Sequence, residues 1–267
     1  MSMVNKYAVA VGINNYPGTG SDLRGCVNDA IDWTDHLSSL GYKVLTLTDE
    51  QATKTAVTSA LREMMAMARY RDKVVFTYSG HGSWVPDRGG DEADSRDEVL
   101  VLHDFDRGGL LSDDEMNTIF SNRRFGVKPT VISDSCHSGT LTDVRGLEAV
   151  RTLKHSVVDA APRFLSPSHF LASEDVPAAL EVESKAPRGA SRPTTALLSG
   201  CDDPEFSYDA YIDGRYRGAF TAAALKTWVP GITLRKWHEA IRLYLPSNQY
   251  PQSPQIGATY PQRFWTL

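Results

Sequence analysis

The chain has 267 residues, of which 41% are hydrophobic and 23% are charged, with 20 Gly and 14 Pro. This composition is that of an ordinary globular protein and excludes a disordered, collagenous or coiled-coil chain, and the length fits one large or two small domains. The balance of 28 Lys and Arg against 33 Asp and Glu gives a net charge of −5. Because nucleic-acid and anionic-membrane binders need a basic field, the charge argues against both classes.

The cysteine content and the N-terminus indicate the compartment. Cys26, Cys136 and Cys201 are the only cysteines, too few for the disulfide framework of a small secreted protein. The apolar run at residues 7–13 is too short to span a bilayer and lacks the basic region and cleavage site of a signal peptide. We therefore expect a soluble, cytoplasmic protein.

Short apolar runs alternate with helix-like segments, a pattern typical of an α/β fold with a parallel sheet. The predicted strands are 7–13, 42–47, 73–78, 98–102, 129–134 and 195–199. The spacing of apolar residues predicts amphipathic helices over 28–40 and 53–68. Further helices are expected to begin after the Ser112 capping box and at Thr233. The polar segment 141–193 is predicted to be a flexible loop within a single domain spanning 1–267.

Two predicted strands end in residues able to carry out nucleophilic chemistry. One runs into Ser79-Gly-His81-Gly-Ser83 and the other into Asp134-Ser-Cys136-His-Ser-Gly139. Ligands bind beyond the carboxyl ends of strands in an open parallel sheet, so His81 and Cys136 are expected to meet there. An imidazole activates a thiol and then supplies the proton for a leaving amine, which is the minimal requirement of a cysteine peptidase. Taken alone, Cys136 is better explained as a buried structural thiol, and its pairing with His81 favours the nucleophile.

The glycines beside the histidine have a mechanical interpretation. Gly80 and Gly82 allow the chain to turn sharply next to His81. The backbone amides of Gly82 and Cys136 are therefore candidate donors to an oxyanion that develops on a substrate carbonyl.

Several segments, in order along the chain, resemble those of metacaspases, a group of caspase-fold cysteine peptidases. They are Tyr7-Ala-Val-Ala-Val-Gly-Ile-Asn14, Leu23-Arg-Gly-Cys-Val-Asn-Asp-Ala30, Tyr78-Ser-Gly-His-Gly-Ser83, Asp94-Ser-Arg-Asp-Glu98, Ser112-Asp-Asp-Glu-Met116, Asp134-Ser-Cys-His-Ser-Gly139 and Ser199-Gly-Cys201, with Gly218-Ala-Phe-Thr221 and Pro254-Gln255 matching more loosely. The spacing of His81 and Cys136 also agrees with the roughly 50 residues typical of caspases. The resemblance implies an α/β three-layer caspase-like (caspase-hemoglobinase) fold with a mainly parallel central sheet.

The resemblance also implies an acidic pocket that accepts Arg or Lys before the scissile bond. The matching positions are Cys26, Asp29, Ser79 and Asp134. Two carboxylates facing a guanidinium form charge-assisted hydrogen bonds, which favours Arg over Lys. Taken singly, Asp29 is also compatible with an ordinary acid at a helix N-terminus, and Asp134 with a solvated carboxylate at a strand end.

Many metacaspases are activated by calcium, so the resemblance implies Ca²⁺ as an activating cofactor. The positions that resemble the metal ligands are Asp97, Asp113, Asp114 and Asp143. Carboxylates in loops suit the irregular oxygen coordination of calcium. The alternative for Asp113 and Asp114 is a favourable interaction with the helix dipole behind Ser112.

Segment 141–193 contains basic residues that an Arg-directed peptidase is able to cut in its own chain. They are Arg145, Arg151, Lys154, Arg163, Lys185, Arg188 and Arg192. Arg145 and Arg188 are expected to be the most accessible because Gly follows each. The sequence therefore predicts self-processing in this segment.

The leading hypothesis is a calcium-stimulated cysteine endopeptidase that cuts protein or peptide substrates after Arg or Lys. We expect it to act as a monomer, without nucleic-acid or membrane partners. One alternative is a caspase-fold protease of another specificity. The other is a ligand-gated signalling adaptor on the same scaffold, against which the intact pair of His81 and Cys136 argues.

Overall fold

The computed structural model describes residues 4–86, 96–136, 160–171, 195–202, 205–258 and 262–267. The strands are β1 (Lys6–Gly12), β2 (Lys43–Thr48), β3 (Lys73–Ser79), β4 (Gly82–Pro86), β5 (Arg96–Val101), β6 (Leu110–Ser112), β7 (Lys128–Asp134), β8 (Ala160–Pro162), β9 (Ala196–Ser199), β10 (Tyr208–Ile212), β11 (Arg215–Gly218) and β12 (Gln255–Gly257). The helices are α1 (Cys26–Ser39), α2 (Lys54–Met67), α3 (Asp113–Ser121), α4 (Ala219–Thr227) and α5 (Leu234–Ile241).

A six-stranded sheet in the order β12-β9-β7-β3-β1-β2 forms the centre of the fold. Every pairing in it is parallel except that of β12 with β9 at one edge. Five of the six predicted strands lie in this sheet, so the expected mainly parallel architecture is confirmed. The remaining one, predicted at 98–102, overlaps β5, which belongs to a smaller antiparallel sheet.

The central strands β1, β3 and β7 are buried on both faces, as their near-continuous apolar runs require. Along β1, Ala8 and Ala10 join one apolar cluster, whereas Val9 and Val11 join another on the opposite face. Helices α1, α4 and α5 contribute to the first cluster, where Trp33 and Trp237 meet edge to face with their ring centroids 6.0 Å apart. Helices α2 and α3 contribute to the second cluster. The result is the three-layer arrangement expected from the sequence.

The predicted helices begin close to their expected caps. The Ser112 side chain accepts a hydrogen bond from the backbone N–H of Glu115 at 3.2 Å, and Thr233 accepts one from Lys236 at 3.4 Å. The Glu115 carboxylate pairs with Lys54 at 2.9 Å, which ties α3 to the start of α2. None of the helices in the described ranges is long and apolar enough to cross a bilayer.

Two small antiparallel sheets, β4-β5-β6 and β11-β10-β8, complete the structure. The first begins at Gly82, directly after the end of β3. The second includes Ala160–Pro162, and residues 167–169 form a 3-10 turn soon after. Residues 160–171 differ from the loop predicted over 141–193, because Ala160–Pro162 form a strand that pairs with β10. The remainder of that segment lies outside the described residues.

Candidate active site

The catalytic residues predicted from the sequence follow neighbouring strands of the central sheet. Strands β3 and β7 run parallel, and Ser79 at the end of one lies opposite Asp134 at the end of the other. His81 and Cys136 each come two residues later, and both are buried. The structure therefore brings the two chain segments to one edge of the sheet, as parallel topology dictates.

An arginine from the same chain occupies this edge. Arg163 follows β8, and its side chain is fully buried. Its carbonyl oxygen accepts hydrogen bonds from the amides of Gly82 at 3.0 Å and Cys136 at 3.2 Å. Its own N–H donates to the carbonyl of Ser207 at 2.9 Å. The two amides that the sequence suggested as oxyanion donors thus converge on a single carbonyl oxygen.

The guanidinium of Arg163 contacts three carboxylates. Nη2 lies 2.7 Å from Asp29 Oδ2 and 3.0 Å from Asp209 Oδ1, while Nη1 lies 3.2 Å from Asp134 Oδ2. Nη1 also donates to the backbone carbonyl of Asp134 at 3.1 Å. Burial opposes the charge on Arg163, but the surrounding acidic groups, Asp134 foremost, outweigh it and raise the pKa of the guanidinium. We call this cluster of Asp29, Asp134 and Asp209 the acidic pocket.

Asp29 lies in the first turn of α1 and is held by backbone as well as by charge. Both of its carboxylate oxygens accept from the Gly218 amide at 3.0 Å. Burial raises the pKa of Asp29 to about 7; Arg163 opposes the rise and the negative charge of Asp134 adds to it. Three carboxylates share one buried cation, so the acidic pocket retains an excess of negative potential.

Asp134 closes β7 and is surrounded by donors. Its Oδ2 accepts from the Thr221 amide at 2.9 Å and from the Thr221 hydroxyl at 2.7 Å. Its Oδ1 accepts from the hydroxyl of Ser207. These hydrogen bonds hold the carboxylate in one orientation in front of the guanidinium.

Asp209 is the member of the acidic pocket that sequence reasoning missed. It lies on β10 and is buried, and it accepts from the amides of Arg24 at 2.8 Å and Gly25 at 2.9 Å. A single acid within the otherwise uncharged run Tyr208–Ile212 was the available signal. This signal did not indicate a partner, because the residues that Asp209 contacts are distant in sequence.

The other two predicted pocket residues, Cys26 and Ser79, are buried, and no hydrogen bond joins either of them to the guanidinium within the described ranges. Burial raises the pKa of the Cys26 thiol, and the charge of Arg163 reverses only part of that rise. The Ser79 hydroxyl is buried and has no hydrogen-bond partner within the described ranges. The contacts to the guanidinium therefore come from the carboxylates and not from these two residues.

The ring of His81 is oriented by a backbone carbonyl. Nε2 lies 2.7 Å from the oxygen of Ser21, which can only accept, so Nε2 carries the proton of the neutral ring. Nδ1 is buried and has no hydrogen-bond partner in the part of the chain that the structure describes. Burial lowers the pKa of His81 to about 4, with a smaller opposing effect from the backbones of Ser21 and Arg163. The imidazole is therefore neutral at pH 7, with the lone pair of Nδ1 available as a base.

Two tyrosines fix the backbone of His81. Its N–H donates to the hydroxyl of Tyr16 at 2.7 Å, and its carbonyl accepts from the hydroxyl of Tyr78 at 2.7 Å. The Tyr16 ring also packs against the imidazole, with centroids 4.4 Å apart. All three side chains are buried, so these contacts determine where the imidazole lies.

The cysteines at this edge are free thiols. The amide of Ser207 donates to Cys136 Sγ, and the same residue's carbonyl lies 3.5 Å from that sulfur. Cys201 is adjacent: a hydrogen bond with the Cys136 side chain, together with burial, raises the pKa of its thiol. Cys201 is consequently a neutral neighbour of Cys136.

The aspartates expected to bind calcium lie on other elements than those that build the acidic pocket. Asp97 is on β5, and Asp113 and Asp114 open α3. Because Val99 pairs with Ser112, these two short stretches approach one another at the end of their sheet. Among the described residues, no three His, Cys, Asp or Glu side chains form a metal-ligand set. Asp143 lies outside the described residues, as do Arg145 and Arg188, and calcium binding stays a prediction.

Comparisons with known proteins agree with this geometry. The sequence profile of the metacaspase, peptidase C14 domain matches residues 6–145. The chain is 31% identical to metacaspase-1 of Mycosarcoma maydis, covering 95% of this chain and 70% of that protein. It is 32% identical to metacaspase-1B of Aspergillus fumigatus, covering 95% of this chain and 69% of that protein.

Solved structures show a similar fold. Protein GSU0716 from Geobacter sulfurreducens superposes with a TM-score of 0.71 at 28% identity, covering 98% of this chain and 97% of that one. Caspase-1 from Spodoptera frugiperda superposes with a TM-score of 0.60 at 12% identity, covering 95% and 86% respectively, which shows a shared caspase-like fold. With a matching domain profile and relatives at this level of identity over most of its length, the chain belongs to the metacaspases, a family of cysteine-type endopeptidases.

Proposed function

We propose that this metacaspase cleaves peptide bonds after arginine, and less efficiently after lysine, with Cys136 as nucleophile and His81 as its base. One observation carries the proposal. The guanidinium of the buried Arg163 lies among three carboxylates, and its carbonyl oxygen accepts hydrogen bonds from two backbone amides. Arg163 thus marks both the position of a substrate side chain and the position of a reacting carbonyl.

The arrangement supports a stepwise hydrolysis. Nδ1 of His81 takes the thiol proton, and the Cys136 thiolate attacks the carbonyl carbon of the bound arginine residue. The amides of Gly82 and Cys136 then stabilise the negative charge that develops on the oxygen. His81 returns the proton to the departing amine as the C–N bond breaks, and water hydrolyses the resulting thioester. A low pKa keeps the imidazole in its basic form at the start of this sequence.

The acidic pocket favours arginine over lysine for a geometric reason. Nη1 and Nη2 of the bound guanidinium each meet a different carboxylate. A planar fork makes both contacts at once, whereas an ammonium group is a single point charge on a different stem. An acidic side chain would meet the carboxyl groups of the acidic pocket with no cation present, so cleavage after aspartate is disfavoured.

We further propose that calcium stimulates the enzyme and that the enzyme acts in the cytoplasm. The register of β5 and β6 supports the first idea, because it draws Asp97 toward Asp113 and Asp114, and carboxylate oxygens suit calcium. The three free thiols support the second, because such cysteines persist in a reducing compartment.

The test uses fluorogenic peptides that differ only in the residue before the cleaved bond: Arg, Lys, Gln or Asp. We expect kcat/KM for Arg to exceed that for Gln by at least about 10⁴-fold, since Gln leaves the buried carboxylates unpaired. Assays with calcium and then with a chelator measure the stimulation. Cys136→Ala and His81→Ala serve as inactive controls. Preferential cleavage after Asp, or activity that survives Cys136→Ala, would contradict the proposal.

A further inference from the structure

The chain itself runs through the active site in the manner of a substrate. Resting on the proposed function, we infer that residues 160–165 are the enzyme's first substrate and that the peptide bond between Arg163 and Phe164 is the one it cuts. Three sets of contacts carry this inference: before the arginine, at its carbonyl, and after it.

Before the arginine, the chain is bound as an added strand. Strand β8 pairs antiparallel with β10, so that Pro162 lies opposite Tyr208 and Ala160 opposite Ala210. The Arg163 amide continues this pattern by donating to Ser207 at 2.9 Å. Backbone pairing of an extended peptide with a sheet edge is a general mode of peptide recognition, in which alternate side chains provide specificity.

At the arginine itself, the backbone contacts show whether Arg163 is bound as a substrate or only forms a structural ion pair. A purely structural arginine needs only to bring its guanidinium to the three carboxylates. Here the carbonyl oxygen is also held by the amides of Gly82 and Cys136, at 3.0 and 3.2 Å. Cys136 supplies one of these amides and also the proposed nucleophile, so the carbonyl of Arg163 is held by the residue that would attack it.

After the arginine, the chain continues through the site. The amide of Leu165 donates to the carbonyl of Gly82 at 3.1 Å, and the Ser83 hydroxyl donates to the carbonyl of Leu165 at 2.7 Å. Phe164 is buried and its ring packs against Phe206, with centroids 6.5 Å apart. Both sides of the Arg163–Phe164 bond are therefore bound, as cleavage of an internal bond requires.

The reaction balances with water as its only co-reactant. The Cys136 thiolate forms a thioester with the Arg163 carbonyl carbon while the C–N bond to Phe164 breaks. The Phe164 nitrogen takes the proton that His81 carries and becomes a new amino terminus. Water then hydrolyses the thioester, which leaves a carboxylate on Arg163 and restores the thiol.

The inference changes where self-processing is expected. Arg145 and Arg188 were favoured from sequence because Gly follows each, and both lie outside the described residues. Arg163 is placed in the acidic pocket with its scissile bond bound on both sides. Because the segment fills the pocket, added substrates are expected to be cut only after the Arg163–Phe164 bond is broken and the segment leaves.

In the experiment, the purified 267-residue chain is sampled over time, and its fragments are identified by intact-mass spectrometry and N-terminal sequencing. We expect a new terminus that begins at Phe164, with Cys136→Ala remaining uncut. The segment is already docked in its own molecule, so the half-life is expected to be unchanged over a 100-fold dilution. In parallel, activity on an added Arg peptide is expected to rise with the fraction of cut chains.

Substitutions separate this bond from other basic sites. Arg163→Gln is expected to slow cleavage at this bond by at least about 100-fold, and Arg163→Lys to slow it less, because the charge is kept. Arg188→Gln, a matched change in the same part of the sequence, is expected to leave the rate unchanged. Thermal melting of each variant checks that it folds. The cleavage site itself is mapped on the unmodified chain, so that result does not depend on the folding of any variant.

Several outcomes would overturn the inference. Cleavage only after other basic residues, or a rate that rises in proportion to enzyme concentration, would show that the Arg163–Phe164 bond is not cut within its own molecule. If an added Arg peptide is cut while the chain stays intact, this inference fails and the proposed function stands. If neither is cut, the proposed function fails with it.

Discussion

Nη2 of Arg163 lies 2.7 Å from Oδ2 of Asp29, and neither side chain is reached by solvent. The two residues are 134 positions apart in sequence, so their ion pair joins the end of β8 to the first turn of α1. A buried charge is tolerated only where partners compensate for its lost hydration. Changes to the residues that build the acidic pocket should therefore have measurable effects.

Asp209→Asn should weaken recognition of arginine. The variant removes one of the two carboxylates on Nη2, although it keeps an acceptor for the amides of Arg24 and Gly25. We expect kcat/KM for an Arg peptide to fall by about 10- to 100-fold, the usual effect of losing a charged hydrogen bond. Asp213→Asn, in the exposed turn after the same strand, is the matched control. Unchanged kinetics in Asp209→Asn would remove this residue from the pocket.

Gly218→Ala should block the acidic pocket by volume alone. A Cβ at this position would lie 2.6 Å from Arg163 Nη1 and would overlap the Asp134 carboxylate. We expect kcat/KM for an Arg peptide to fall at least tenfold. Gly257→Ala is the control, because its Cβ would make an ordinary contact, 3.4 Å from the Leu197 side chain. Equal activity in the two alanine variants would contradict the close packing described here.

Binding of a guanidine should depend on pH through Asp29. With Arg163 in the pocket, burial raises the pKa of this carboxyl to about 7; the Arg163 charge opposes that rise, so the pKa is higher still once this cation leaves. Binding of a cation therefore releases a proton from Asp29, and affinity is expected to rise with pH between pH 6 and 8, chiefly above pH 7, by up to about tenfold. The inhibition constant of agmatine across this range measures the effect.

The same measurement on Asp29→Asn is the control, since this variant cannot ionise at position 29. We expect its pH dependence in this window to be flat. The pKa of His81, lowered by burial to about 4, lies below the window and does not interfere. A guanidine that binds more tightly to the unmodified enzyme at pH 6 than at pH 8 would contradict the role given to Asp29.

Tyr16→Phe and Tyr78→Phe should lower kcat with little change in KM. Each removes a hydroxyl that pairs with the backbone of His81, at 2.7 Å in both cases. We expect a loss of about 1–3 kcal/mol in the free energy of unfolding, since a buried backbone group is left unpaired. Tyr211→Phe, at an exposed ring, is the control. An increase in KM at constant kcat would show that the tyrosines act on substrate binding instead.

The central sheet was predictable because its strands are marked locally. Strands buried on both faces appear as short, nearly continuous apolar runs, and those runs coincide with β1, β3 and β7; the partly exposed β2 and β9 also carry short apolar stretches. The strands that were not predicted are short and mostly at edges, such as β8 with three residues. Their pairing is set by distant partners, so no periodic pattern identifies them.

The same distinction applies to the candidate site. His81 and Cys136 could be proposed from sequence because each directly follows a recognisable strand. Asp209 and Arg163 could not be placed, because contacts such as Arg163–Asp209 and Arg24–Asp209 span 46 and 185 residues. The glycine that follows Arg145 and Arg188 is a local signal of an accessible site. The position of Arg163 depends instead on how residues 160–165 dock onto distant parts of the chain.

The pairing of β8 with β10 limits what the enzyme is able to attack. While β8 is present, β10 lies between two neighbours; once β8 departs, one side of β10 presents unpaired N–H and C=O groups. Such an edge accepts only a chain whose own backbone groups are unoccupied. Residues within intact helices fail this condition, so the vulnerable sites in other proteins are expected to be locally unfolded stretches, and a basic residue inside a stable helix would be spared.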